Sequence, residues 1–161
     1  MRKNQYSTSF YEFTTTYFED SLLLYMKVSS PFVKTRFLPQ THAFLKQHAP
    51  AVLTTTCFND KNLPFSEEVK DTEFGHLFEH ILIQYLYLLK TAAGETNIVC
   101  NGRTNWDWKT NPFGSFLITV QTNKTDVLLF RLALEKTICV CNRLLSSHQK
   151  PSHLSSLSQN A

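Results

Sequence analysis

Apolar residues recur at helical spacing over one long stretch of the chain, from about Thr72 to Lys90. At about 100° per residue Phe74, Leu77, Phe78, Ile81, Leu82, Tyr85, Leu88 and Leu89 gather on one side. A second long helix is predicted over Lys124 to Leu145, and a short one over Thr41 to His48, closed by Pro50. Elsewhere the pattern is that of strands. Phe10 to Tyr17 and Ser21 to Val28 are rich in aromatic, Thr and aliphatic residues, Ser115 to Gln121 reads as a clear strand, and Val52 to Phe58 is a short β-branched segment. A turn is expected at Asn101-Gly102, ahead of the tryptophan-rich Asn105 to Trp108. Residues 1–9 are polar and expected to be loose. The Ser-, Gln-, His- and Asn-rich stretch 146–161 buries too little apolar surface to order itself and is expected to be a disordered tail. Strands grouped around two long helices predict an α+β fold, a small mostly antiparallel or mixed sheet covered by both helices, as one domain over 10–145.

Composition narrows the function classes. A chain of 161 residues with 42% apolar residues suffices for one packed domain and not for two. Its net charge is +3, but the 16 Lys and Arg are scattered instead of lining one face, so no nucleic-acid partner is expected. No apolar run approaches the roughly 18 residues of a membrane span, and Met1 to Gln5 does not open a signal peptide, so a cytoplasmic protein without a membrane partner is expected. Cys57, Cys100, Cys139 and Cys141 form no CxxC pair and are read as reduced thiols. With four glycines and neither GxGxxG nor GxxxxGK[ST], a nucleotide-driven enzyme is not expected.

The candidate chemistry lies in His76-Leu77-Phe78-Glu79-His80, an HxxEH sequence that inverts the order of the zinc-protease HExxH motif. Residues i and i+4 stand one helical turn apart on the same side, so His76 and His80 can offer imidazole nitrogens to one metal ion while Glu79 acts on a water beside it. On the helical wheel these three lie roughly opposite the main apolar side. The competing reading is a solvated face decorated by polar residues. Ile83 and Tyr87 continue the same side, however, and suggest a face covered by other protein. A zinc site needs a third protein ligand, and four candidates remain open: Cys57, at the end of a predicted strand, and the acids Glu67, Glu68 and Glu73. Cys57 can equally be a buried, inert thiol, while Glu67 and Glu68 can serve the positive end of the helix. A second cluster runs from Asn101 to Trp108. There Arg103 can clamp a carboxylate and a tryptophan such as Trp106 can stack on a ligand, the alternative being a hairpin with one Trp in the core.

Pro50 to Cys57, Phe65-Ser66-Glu67, Thr72 to His80 and Gly102-Arg103-Thr104 together resemble the N-terminal domain of cyanophycin synthetase. There a GTxxGHxxEH-type segment follows a cysteine-bearing loop and precedes a G-[RK]-T turn and a strand. The resemblance spans about residues 20–145, and its specific part is Thr-x-x-Gly-His-x-x-Glu-His. It implies a free-standing version of an accessory domain linked to metal-dependent hydrolysis of an aspartate–arginine polymer, without the ATP-dependent ligase portion. By match to the motif it implies metal ligation by His76 and His80, a catalytic base at Glu79, and Cys57 or Glu67 as further site residues. Two positions depart from the family. Asp71 stands where Gly is usual, and Thr55, two before the cysteine, where His is common.

Three functions are therefore weighed. The first is a zinc-dependent peptidase or amidohydrolase, with Arg103, Trp106 and Glu67 on the side of substrate binding. The second is a non-catalytic module that binds a peptide, a polymer or a partner protein. The third is a subunit docking on a separately encoded ligase through exposed aromatics such as Phe10, Tyr11 and Phe13. A homodimer would also account for a helix with two apolar sides.

Overall fold

The computed structural model describes residues 3–58, 62–121 and 123–149. They form an α+β fold with one five-stranded antiparallel sheet of order β1-β2-β3-β5-β4. The strands are β1 (Lys3–Ser7), β2 (Tyr11–Tyr17), β3 (Ser21–Val28), β4 (Gly102–Asn105) and β5 (Ser115–Gln121). Alternation decides which side of the sheet is covered. Tyr11, Phe13, Leu22, Leu24, Met26, Phe116, Ile118 and Val120 are buried on one face, and the register aligns them row by row. Against that face lie two long helices, α3 (Phe74–Ala92) and α4 (Val127–Gln149), packed on each other. Two shorter helices, α1 (Thr41–His48) and α2 (Phe65–Glu68), complete the set.

The sequence expectation for β2, β3, β5, α1 and the two long helices agrees with these elements to within a few residues. Four segments differ, each for a tertiary reason. Residues 3–7 are not loose: they pair in register with β2 as an edge strand, and Tyr6 stacks on Phe13 with ring centroids 5.2 Å apart. The β-branched segment Val52 to Phe58 is divided: its start lies in a 3₁₀ turn, Pro50–Thr54, with proline at the head and Val52 turned into the core, and Thr56 makes an isolated antiparallel bridge to Pro64. Asn101-Gly102 is no turn but the entry to β4. Residues 146–149 continue α4, while 150–161, the rest of the expected tail, lie outside the described residues. At the start of α4, a 3₁₀ turn (Lys124–Asp126) carries a capping box in which Asn123 and Asp126 satisfy each other's backbone N–H groups. No helix among the described residues is long and apolar enough to cross a membrane.

Helix α3 runs against the sheet because its first turn carries Gly75. A Cβ at that position would lie 2.5 Å from the Phe116 ring of β5, so only glycine permits this approach. The same close packing brings the second turn of α3 beside the short edge strand β4.

Candidate metal centre

Cys57, His76 and His80 converge, their ligand atoms all within 4.8 Å of one another. His76 Nε2 lies 3.3 Å from Cys57 Sγ and 3.2 Å from His80 Nε2. Bonds of about 2.0 to 2.3 Å in a tetrahedral arrangement place ligand atoms roughly 3.3 to 3.6 Å apart, so these three atoms can hold one ion. Helical spacing aligns the two histidines. Cys57 arrives from the segment after the Pro50–Thr54 turn, pinned by the backbone hydrogen bond from its N–H to the Leu63 carbonyl (3.3 Å).

The hydrogen bonds behind the imidazoles orient them. Thr55 donates its hydroxyl hydrogen to the Val52 carbonyl (2.7 Å), so toward His80 Nδ1, 3.2 Å away, it acts as acceptor. His80 therefore carries its hydrogen on Nδ1 and leaves the Nε2 lone pair for the centre. Burial, with His76 beside it, pushes the His80 imidazole down to about 3, which keeps that lone pair available at neutral pH. His76 is oriented by Thr72, whose Oγ1 lies 2.8 Å from its Nδ1. Phe65, fully buried, stacks on His80 with centroids 3.8 Å apart and meets His76 edge-on. The Thr55 hydroxyl thus holds the His80 ring from behind.

Glu79 is not on an open face. Only 6% of it is exposed, because β4 covers that side of α3. Thr104 of β4 donates its hydroxyl hydrogen to Glu79 Oε2. Gly102, two residues earlier, makes room: a Cβ there would lie 2.5 Å from Ile83 Cδ1 and 2.9 Å from Glu79 Oε1. Burial pushes the carboxyl up to about 6, against the lowering effect of the Thr104 hydrogen bond. A carboxyl tuned to this range suits proton transfer near neutral pH.

These groups line an open cleft of about 870 Å³, walled by Thr55 to Phe58 on one side and by residues 100–106 on the other. Arg103 and Trp106 line it, as do Glu68 and Glu73. Both tryptophans meet Phe116 edge-on, but Trp106 is 42% exposed at the cleft, whereas Trp108 donates its indole N–H to the Ser115 carbonyl and has a structural position. Glu73 is ion-paired with Lys34 (3.2 Å). Glu67 is a correction: it is outside the cleft, its carboxylate 2.6 Å from Lys70 on the surface. Phe10, Tyr11 and Phe13 are also corrected, being buried in the core instead of exposed for docking. Tyr87, expected under protein cover, is 45% exposed. The sequence reading passed over the roles of Thr55, Thr72, Thr104 and Phe65; Thr72 and Thr104 stood in the motifs, but their partners lie across the fold.

No protein-family model matches the chain, and no curated protein matches it.

Proposed function

We propose that the protein is a metal-dependent peptidase or amidohydrolase. The observation that carries this reading is one open cleft holding three converging soft and imidazole donors beside a buried carboxylate tuned toward neutral pH. Cys57, His76 and His80 would hold the ion, and a Cys-His-His set with a fourth position open to the cleft suits zinc. When bound, such an ion supplies Lewis acidity toward an amide carbonyl. Glu79 takes a proton from the attacking water on Oε1, the oxygen not held by Thr104, and returns it to the departing amide nitrogen. Thr104 fixes the rotamer of Glu79, and the 3.8 Å stack of Phe65 on His80 excludes water from behind the ligands. Trp106 stacks on the substrate at the mouth of the cleft, whereas Arg103, between Gly102 and Thr104 on β4, carries its side chain on the opposite face of the sheet, which corrects the expectation of a carboxylate clamp there. The resemblance to the cyanophycin synthetase N-terminal domain places aspartate–arginine polymers beside ordinary peptides as the substrates to test.

The deciding experiment is elemental analysis of protein purified without a metal-affinity tag, followed by assay of Glu79→Gln. About one zinc per chain is expected. It should be lost in His76→Ala and His80→Ala and kept in Glu79→Gln, which should no longer hydrolyse either substrate. A zinc-free wild type, even after zinc is supplied, overturns the reading; metal binding with no hydrolysis leaves a binding module.

A further inference from the structure

The strand beside Glu79 is an open sheet edge. β4 is the last strand of the order and pairs only with β5, through Gly102↔Val120, Arg103↔Thr119, Thr104↔Ile118 and Asn105↔Leu117. One backbone bond sets the phase of the ladder: the Gln121 N–H donates to the Asn101 carbonyl at 2.9 Å. In an antiparallel pair, hydrogen-bonded residues alternate, so Asn101, Arg103 and Asn105 direct their main-chain groups to β5. Gly102 and Thr104 direct theirs the other way. No backbone partner meets those groups among the described residues. β4 carries no proline, lysine or bulge at its edge; it is four residues long and charged at Arg103, which limits what it can add to a short stretch of strand.

We infer that this edge takes an extended peptide as a sixth strand, held by the main-chain N–H and C=O groups of Gly102 and Thr104. The same two residues face α3 with their side-chain positions, Thr104 holding Glu79 and Gly102 making room for it. A strand added at the usual spacing of about 4.8 Å therefore runs along the cleft, past the carboxylate and the metal donors. Main-chain recognition of this kind selects extended peptide over compact or cyclic amides, and needs only modest side-chain preference. The occupant is a single strand because the free edge presents outward main-chain groups at only two residues of β4, Gly102 and Thr104, too few to join a second sheet. A second copy of the sheet would bring its own helical layer into that space. The inference rests on the hydrolase reading only for what happens to the peptide once it is bound.

The test uses the full-length, zinc-loaded Glu79→Gln chain and the blocked hexapeptide acetyl-Lys-Ala-Val-Ala-Val-Lys-amide, whose valines favour an extended strand and whose lysines keep it soluble. Two further copies carry backbone N-methyl groups, either on both valines or on both alanines, and so block opposite edges of the peptide strand. The expected result is slowed exchange of the Gly102 and Thr104 amides on binding, with one N-methyl copy weakened by about tenfold and the other retained. Equal binding of all three peptides, no change at those two amides, or no binding at millimolar concentration overturns the inference. Amides already slowed in the free protein, together with dimers in sedimentation, assign the edge to a second copy and also overturn it. Protection without cleavage by the wild type would fault the hydrolase reading alone. Cleavage of both N-methyl peptides at the parent rate would fault the strand docking alone.

Discussion

The Thr104 hydroxyl donates to Glu79 Oε2 across the gap between an edge strand and a helix, joining residues separated by 25 positions. This bond fixes the carboxylate that the proposed chemistry depends on, and it can be removed without opening a large cavity. Thr104→Val is expected to lower hydrolysis by about tenfold while zinc content stays unchanged. Thr104→Ser should restore most of the rate, because it restores the donor. Steady-state kinetics and elemental analysis of the two variants check this.

Gly102 makes a different demand on the same carboxylate. In Gly102→Ala the new methyl group meets Ile83 Cδ1 at 2.5 Å and Glu79 Oε1 at 2.9 Å. Both atoms are the ends of side chains that can yield, so the cost is expected at the low end of the ~1–3 kcal/mol range for overpacking, read by urea denaturation. Pairing it with Ile83→Val removes the Cδ1 clash and should recover much of that stability. Activity should stay low in the double variant, since Glu79 is still displaced.

Thr55 supports the centre from behind. Thr55→Val removes the acceptor for the His80 Nδ1 hydrogen and frees the ring to turn or change tautomer. Zinc affinity, measured by competition with a chelator, is expected to fall about 10- to 100-fold, as is usual when a ligand histidine loses its partner. Thermal stability of the metal-free protein should change far less than zinc affinity does.

Far from the cleft, Lys90 and Asp126 tie the end of α3 to the start of α4 through a buried ion pair at 2.9 Å, with Glu95 at 3.2 Å from the same ammonium. Burial alone would raise the Asp126 carboxyl, but hydrogen bonds from Lys90 and the Asn123 N–H outweigh it and hold the group below its ordinary value of 3.8. Its contribution to stability is therefore complete above that ordinary value and is lost as pH falls through the lower folded one. Asp126→Asn should cost about 2–3 kcal/mol at neutral pH, less than a fully abandoned buried charge because Glu95 remains. The difference from wild type should close in strong acid, as shown by denaturation across pH.

What the sequence determined by itself is what local spacing can encode. Alternation in Tyr11–Tyr17, Ser21–Val28 and Ser115–Gln121 and the helical period after Thr72 define elements because side-chain direction follows from backbone geometry alone. The i, i+4 spacing of His76 and His80 likewise sets two imidazoles side by side before any tertiary contact forms. The rest depended on which segments meet. Polar residues 3–7 become a strand only because β2 offers its edge, and the start of the β-branched run after Pro50 coils into a 3₁₀ turn that sends Val52 into the core. On the helical wheel Glu79 lies opposite the main apolar side, and Ile83 on the same side suggests a cover that the wheel cannot identify; strand order supplies that cover as β4, buries Glu79 and brings Thr104 to it. Among four candidate third ligands, tertiary structure brought the Cys57 thiol into the His76–His80 cluster and left Glu67 outside the cleft with Lys70. That choice rests on contacts between residues far apart in the chain, which no periodicity records.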